Sequence, residues 1–267
     1  MRQREKARGR WRDMMGGYVN TDIADGVATI TLNDPQTLNA LNPAMMTAFL
    51  DTLTECERSA QVDAVVLTGA GRGFCSGANL TSEIVDMRDG AFETWINDHL
   101  NPLAQRITGS PLPVIAAVRG PAAGAGCSLA LACDLIVAAQ SARFILSFGK
   151  IGVGMDLGAS WTLMRSIGQH RARQMALTGA ALDAETAKDW GLAMEVFAED
   201  ELLDGARAIA AEMIANSTAP ALAAMKRQFD FAATATLDEA LRDEARVQAE
   251  LVLTEESRKL IDSFGKR

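Results

Sequence analysis

Histidine is almost absent. The 267 residues hold only His99 and His170. Neither sits in an HExxH or comparable ligand pattern, so no metal site is expected. The four cysteines, Cys56, Cys75, Cys127 and Cys133, form no CxxC pair. They read as reduced, mostly buried thiols of a cytoplasmic protein. Positive charge is not in excess, since 26 Lys and Arg face 34 Asp and Glu for a formal net charge of −8. That removes nucleic-acid binding as the default reading, while leaving room for an anionic ligand on a local basic patch. No apolar run approaches the roughly 20 residues of a membrane span, so no membrane partner is expected. No GKS or GKT occurs, which excludes a P-loop.

What is present suits one large α/β domain, or one domain with a small appendage: 267 residues, 48% hydrophobic. Residues 1–15 carry Arg2, Arg4, Lys6, Arg8, Arg10 and Arg12 with little apolar content. No hydrophobic stretch follows, so a signal peptide is not expected; the segment reads as a disordered basic extension, with an organelle-targeting or anion-binding arm as the alternative. Val27 to Leu32 is rich in β-branched residues and reads as a strand. Asn42-Pro43 has the form of an N-cap and first helical residue, opening a core-facing helix over 43–59. Val62–Thr68, Val114–Val118 and Leu135–Ala138 are apolar runs of buried strands, and a helix is expected over about 126–133. From about residue 180 the pattern is helical. Asp183 caps a short helix, Glu199–Asn216 and Thr218–Phe231 follow, and Thr236 with Glu239 forms a capping box opening a helix to about Glu255.

Two glycine-studded loops follow apolar runs: AVVLTGAGRGFCSGANL, from Ala64 to Leu80, and PVIAAVRGPAAGAGCSLALACDLIVAA, from Pro113 to Ala139. Glycine lets backbone approach a ligand closely, and two such loops can aim two N–H groups at one oxygen. GAGRGF misses the dinucleotide fingerprint, because Phe74 takes the third glycine's place and no acidic residue follows at the required offset.

Those loops occur in order with LNDPQTLNALN (32–42) and FGKIGVGMDLGASWTLMRSIGQHRARQMALTGAALDAETAKDWGLAMEVF (148–197). The set resembles the enoyl-CoA hydratase/isomerase, or crotonase, superfamily from about Val19 to the C-terminus. The run around Asp156 is closest in pattern to the 1,2-epoxyphenylacetyl-CoA isomerase branch. The resemblance implies an α/β fold with a β-β-α spiral core over 16–205. It also implies a helical trimerisation region over 206–267, giving a homotrimer or dimer of trimers. The implied substrate is an acyl-CoA thioester, with no cofactor beyond the coenzyme A it carries.

The resemblance also assigns residues. The Ala78 and Ala125 N–H groups match an oxyanion hole, each worth roughly 10²–10³ in rate, the second at a helix start whose positive end adds to it. Leu38, Ala40, Ser76, Ala78, Asn79 and Leu80 match the CoA-binding turns. Leu38 stands where relatives often place a basic residue. Lys226 and Lys266 are candidate phosphate contacts, weighed against solvated surface charges. Ser128 and Phe148 occupy the positions of the two hydratase glutamates, so the usual acid and base for adding water are missing. Asp156 remains, matching the proton-transfer base of double-bond isomerases. One carboxylate suffices there, since it can remove a γ-proton and return it at the α-carbon. Its apolar flanks Val153, Met155 and Leu157 would raise its pKa.

Plainer roles stand beside these. Asp156 would serve equally as a cap for a helix starting near Gly158. Ser128 has no assignable histidine partner and suits packing better than nucleophilic attack. Phe92, Trp95 and His99, in the variable segment 81–110, would line an acyl tunnel or belong to core and surface. An enoyl-CoA isomerase is the favoured reading. The alternatives are a hydratase or acyl-CoA hydrolase of the same fold, or a silent CoA-binding scaffold.

Overall fold

The computed structural model describes residues 17–81, 84 and 86–264. The expected basic extension and Lys266 lie outside them. Strand β1 (Val19–Ala24) pairs antiparallel with β2 (Val27–Leu32). Asp25 and Gly26 join them with φ of 50° and 81°, the paired left-handed conformation of a two-residue hairpin turn. Helix α1 (Pro43–Arg58) begins where expected, with the Asn42 side chain accepting from Met45 N. Strand β3 (Ala64–Gly69) then pairs parallel with β2.

Helix α2 (Ala91–Trp95) runs through one wider turn, Ile96–Leu100, into α3 (Asn101–Thr108). Next come β4 (Val114–Val118), β5 (Pro121–Ala123), α4 (Ala125–Leu131), β6 (Leu135–Ala139) and β7 (Arg143–Ile145). After a short helical turn at Ser147–Ile151 follow α5 (Ala159–Ile167), α6 (Gln169–Thr178), β8 (Leu182–Asp183), α7 (Ala184–Asp189) and β9 (Glu195–Phe197). Four helices close the chain: α8 (Leu202–Asn216), α9 (Ala219–Ala232), α10 (Leu237–Leu251) and α11 (Glu255–Phe264).

The strands form two sheets, one ordered β1-β2-β3-β4-β6-β9 and the other β5-β7-β8. Successive strands alternate between them: β4 then β5, β6 then β7. Single bridges Leu41–Ala78 and Cys75–Ala122 extend the second layer through both segments that follow β2 and β3. Each turn of chain therefore crosses the large sheet, crosses the small one and returns, which is the β-β-α spiral.

The central strands β2, β3, β4 and β6 are buried on both faces and so nearly all apolar, whereas the edge strand β1 alternates toward solvent. Alternate residues such as Ile30, Leu32, Val65, Leu67, Val114 and Ala116 join the main core with α1 and α3. The intervening Val27, Ala64, Val66, Ile115, Ala117 and Val137 pack on Leu202, Ala206 and Ala210 of α8. A boundary between residues 205 and 206 would cut α8, which is bound to the sheet along its length. The helices that stand away begin at α9, which buries no residue, and α10 buries only Val247. The capping box at Thr236 is present with both of its hydrogen bonds. Its helix, expected to reach Glu255, stops at Leu251, and α11 starts separately at Glu255. Among the described residues no helix is long and apolar enough to cross a membrane.

Candidate active site

The first glycine loop is locked in place by Asn39. Its side chain is fully buried; Nδ2 donates to the carbonyls of Ala70, Gly73 and Phe74 at 2.9–3.2 Å, and Oδ1 accepts from Asp34 N at 2.9 Å. Leu38 and Asn39 both have left-handed φ, 56° and 59°. Asparagine tolerates this better than most residues, and the conformation turns its amide into the loop. Nothing in the spacing pointed to Asn39; the side-chain amide inside an N-A-L turn was the available signal.

Beyond it, residues 38–41 and 76–79 run side by side. Ser76 N donates to Leu38 O at 2.9 Å, Leu41 N to Gly77 O at 2.8 Å and Asn79 N to Leu41 O at 2.9 Å. The Ser76 hydroxyl donates to Thr37 O at 2.7 Å. This ladder brings Leu38, Ala40, Ser76, Ala78 and Asn79 together, with Leu80 at its exposed end.

The ladder skips one donor. Ala78 N lies between paired neighbours and has no acceptor among the described residues. Ala125 N, at the first residue of α4, has none either. The two are neighbours: a Cβ placed on Gly77 would stand 3.5 Å from Ala125 N and 2.9 Å from Ala123 O. Glycine is required there twice, by that approach and by a φ of 111°. Gly124 likewise has φ 51° and ψ −127°, which directs the peptide ahead of Ala125.

Asp156 lies in the same pocket. Leu157 next to it is held at φ 48° with its side chain buried in the core. The Asp156 backbone carbonyl accepts from Ala159 N at 2.9 Å. The carboxyl does not cap α5, whose start carries no side-chain cap. Instead Oδ1 is buried with no hydrogen-bond partner. Burial raises the Asp156 pKa to about 6, with the Ser128 hydroxyl and Asp156's own N–H opposing that rise. Two of the expected flanks do not contribute to that burial, since Val153 and Met155 are exposed. Leu157 itself is buried in the core. Cys75 and Cys127 both feel the Asp156 charge and, chiefly through burial, are pushed up to about 12.

Ser128 is fully buried on α4, its hydroxyl 3.3 Å from Gly124 O. Phe148 is buried beside Gly124, where a Cβ would meet its ring. Neither position carries a carboxylate. All four cysteines are free and buried.

Other candidates fall elsewhere. Lys226, weighed as a phosphate contact or a solvated charge, is neither in this structure. Its Nζ donates to Ile107 O at 2.7 Å, Leu112 O at 3.2 Å and Asp134 Oδ2 at 2.8 Å, with 8% of the side chain exposed. It fastens α9 to the core. Trp95 belongs to the main core, with Phe92 stacked on it at 6.1 Å and His99 against its edge at 5.5 Å.

Fold and site together define a spiral α/β enzyme scaffold that carries two unpaired peptide N–H groups and a buried carboxyl. The chain belongs to the enoyl-CoA hydratase/isomerase family, whose model matches residues 22–267. It is an acyl-CoA-processing enzyme of the crotonase type. A 1,2-epoxyphenylacetyl-CoA isomerase of Escherichia coli is 39% identical over 83% of this chain and 85% of its own length. A probable enoyl-CoA hydratase of Rhodobacter capsulatus is 40% identical over 92% and 94%. Among solved structures, an enoyl-CoA hydratase from Polaromonas sp. JS666 superposes with a TM-score of 0.87 at 33% identity, covering 93% of this chain and 97% of that one.

Proposed function

We propose that this enzyme is an enoyl-CoA isomerase. The Ala78 and Ala125 N–H groups hold the thioester oxygen, and Asp156 moves the proton. The observation that carries the reading is the buried, partnerless Oδ1 of Asp156. A buried acceptor without a donor is costly unless something is meant to reach it, and no second carboxylate stands at Ser128 or Phe148 to activate water. The substrate's C–H bond breaks toward Asp156, and its electron pair passes into the thioester oxygen as an enolate. The same proton returns at the other end of the conjugated system, so the double bond moves and the carboxylate is regenerated. A base with a pKa near 6 is ionised at neutral pH yet basic enough to hold the proton in transit.

The CoA moiety runs along the ladder of Leu38, Ala40, Ser76, Ala78, Asn79 and Leu80, with Ser128 and Phe148 lining the acyl side. Coenzyme A enters only as part of the substrate, and no metal or separate cofactor is invoked. The chain works in the cytoplasm as a trimer or dimer of trimers. Exposed Phe229, Leu237 and Leu253 on and beyond α9 and α10 support that assembly, and the four buried thiols suit a reducing compartment.

The test supplies a 3-enoyl-CoA and, separately, a 2-enoyl-CoA, following bond migration and water addition together. Migration without hydration is expected, reduced about 10²–10⁴-fold in Asp156→Asn. Hydration at ordinary rates, or full-rate migration in the variant, refutes the reading. Tight binding without turnover of any acyl chain would identify a silent scaffold.

A further inference from the structure

Two apolar faces of this chain stand open, and their charges are opposite. The first is built by α5, α6 and the loop ahead of them. A cleft of about 220 Å³ opens between the two helices, with Met155, Ala159, Leu163, Met164, Ala172 and Leu177 in its lining. Of these Met155, Met164 and Leu177 are exposed, Leu177 by 83%. Between Asp156 and Asp183 the chain has no acidic residue, but it has Arg165, Arg171 and Arg173. None of the three meets a carboxylate among the described residues. Arg165 lies over the Trp161 ring, Arg171 over Trp190, and Arg173 against the Gln169 amide. The second face is built by α9–α11. Its cleft of about 310 Å³ has Met225, Val247, Leu251, Leu260 and Ile261 in its lining, and Leu237, Leu241, Leu260 and Ile261 are exposed. Helices α10 and α11 carry eight acidic residues against four basic ones. Ion pairs in this region use Asp243, Glu250 and Glu255, which leaves Asp238, Glu244, Glu256 and Asp262 without one. Both faces are exposed in the single chain, so neither covers the other within it.

We propose that the basic face on α5 and α6 is covered by the acidic helices α10 and α11 of a second copy of this chain, and that this contact completes the wall beside Asp156. Unlike faces on one chain join head to tail, and such a contact closes into a ring where the rotation allows. The apolar surface supplies adhesion, while the opposite charges fix the partner and the register. Met155 and Ala159 carry the consequence to the site. Both line the cleft and they bracket Asp156, whose carbonyl accepts from Ala159 N at 2.9 Å. In the single chain Val153 and Met155 are exposed, so water reaches the outer side of the segment that holds the carboxyl. A second copy excludes that water and steadies the segment. Assembly and catalysis are thereby coupled: one chain carries every reacting group, but presents one of them on an open loop.

The inference rests on the proposed assembly and on Asp156 as the proton carrier, and the experiment separates them. Sedimentation equilibrium is run on the full chain, on Arg171→Glu with Arg173→Glu, on Glu244→Arg with Glu256→Arg, and on a chain carrying all four changes. Either face reversed alone is expected to weaken association at least about tenfold, the low end of what interfacial charge pairs are worth. The four changes together should bring it back to within about threefold of wild type, which a misfolded variant would not do. Amides of residues 151–160 should exchange their hydrogens at least about tenfold more slowly in assembled wild type than in a reversed protein held as single chains. Turnover per chain should fall as wild type is diluted through its dissociation. A wild type that stays a single chain, an assembly that either reversal leaves intact, or a fourfold variant no better than the reversals overturns the contact. Equal exchange at 151–160, or turnover indifferent to dissociation, overturns its part in the site. If wild-type enzyme moves no double bond, the isomerase reading fails instead, while sedimentation and exchange still decide the contact.

Discussion

The pocket around Asp156 and the helices α9–α11 are unfinished in opposite ways. In the pocket a few polar groups are left over: Ala78 N, Ala125 N and one carboxyl oxygen. In the helices the polar groups are satisfied, as in the Thr236 capping box and the Arg227–Asp243–Arg246 ion pairs. There the apolar groups are left over, with Phe229 80% and Leu237 75% exposed. Unused polar groups in a buried site call for a small polar ligand, because an unmade buried hydrogen bond is expensive. Unused apolar surface on helices calls for a broad partner. Lys226 ties these helices to the rest of the chain.

Cutting that joint gives the largest expected stability effect. Lys226→Met leaves Asp134, itself pushed toward neutrality by burial, without its cation and frees two backbone carbonyls. A loss of about 3–5 kcal/mol is expected in urea titration. A loss below about 1 kcal/mol would mean that α9 is held by other contacts.

The next effect lies in the pocket. Asp156 has a folded pKa of about 6 against an ordinary 3.8. Between those values the unfolded chain has already released the proton that the folded chain still holds. Stability therefore falls as pH rises through that window. The full difference is about 3 kcal/mol above pH 6, by the usual conversion of pKa to free energy. Asp156→Asn should remove this decline and be the more stable protein at pH 8, while losing activity. Parallel stability curves for the two proteins would place the carboxyl in water.

The smallest effect on the single chain belongs to the helices. Phe229→Ser removes an exposed ring and should change unfolding free energy by no more than about 0.5 kcal/mol. It should nonetheless weaken assembly, read by sedimentation. An assembly unaffected by it would move the interface away from α9.

Much of the fold was legible because its signals are local. Asn42-Pro43, Thr236 with Glu239, and the apolar runs at 64–69 and 114–118 each declare an element within a few residues. The small sheet was not legible. Strands β5, β7 and β8 have two or three residues each, too few for an alternation to show, and they exist because neighbouring turns of the spiral supply their partners. At the site, motif order is what pointed to Ala78, Ala125 and Asp156. The burial of Asp156 was expected from Val153, Met155 and Leu157; Val153 and Met155 prove exposed and Leu157 buried, while Cys75 and Cys127 from other segments feel its charge. Asn39 and the structural role of Lys226 escaped because the amide donors of the one and the ammonium of the other bond residues 31 or more positions away. The end of α10 at Leu251 was missed because Val252-Leu253-Thr254 continues past it without a glycine or proline to mark the break.

The account turns on Asp156 being the one group whose ionisation gates the chemistry. The direct measurement is the pH dependence of kcat/KM for bond migration in a 3-enoyl-CoA. A single rise with slope one and a midpoint near the folded pKa of about 6 is predicted, with the titrating limb absent from the residual rate of Asp156→Asn. A bell with two midpoints, or a profile that the variant leaves intact, would contradict it.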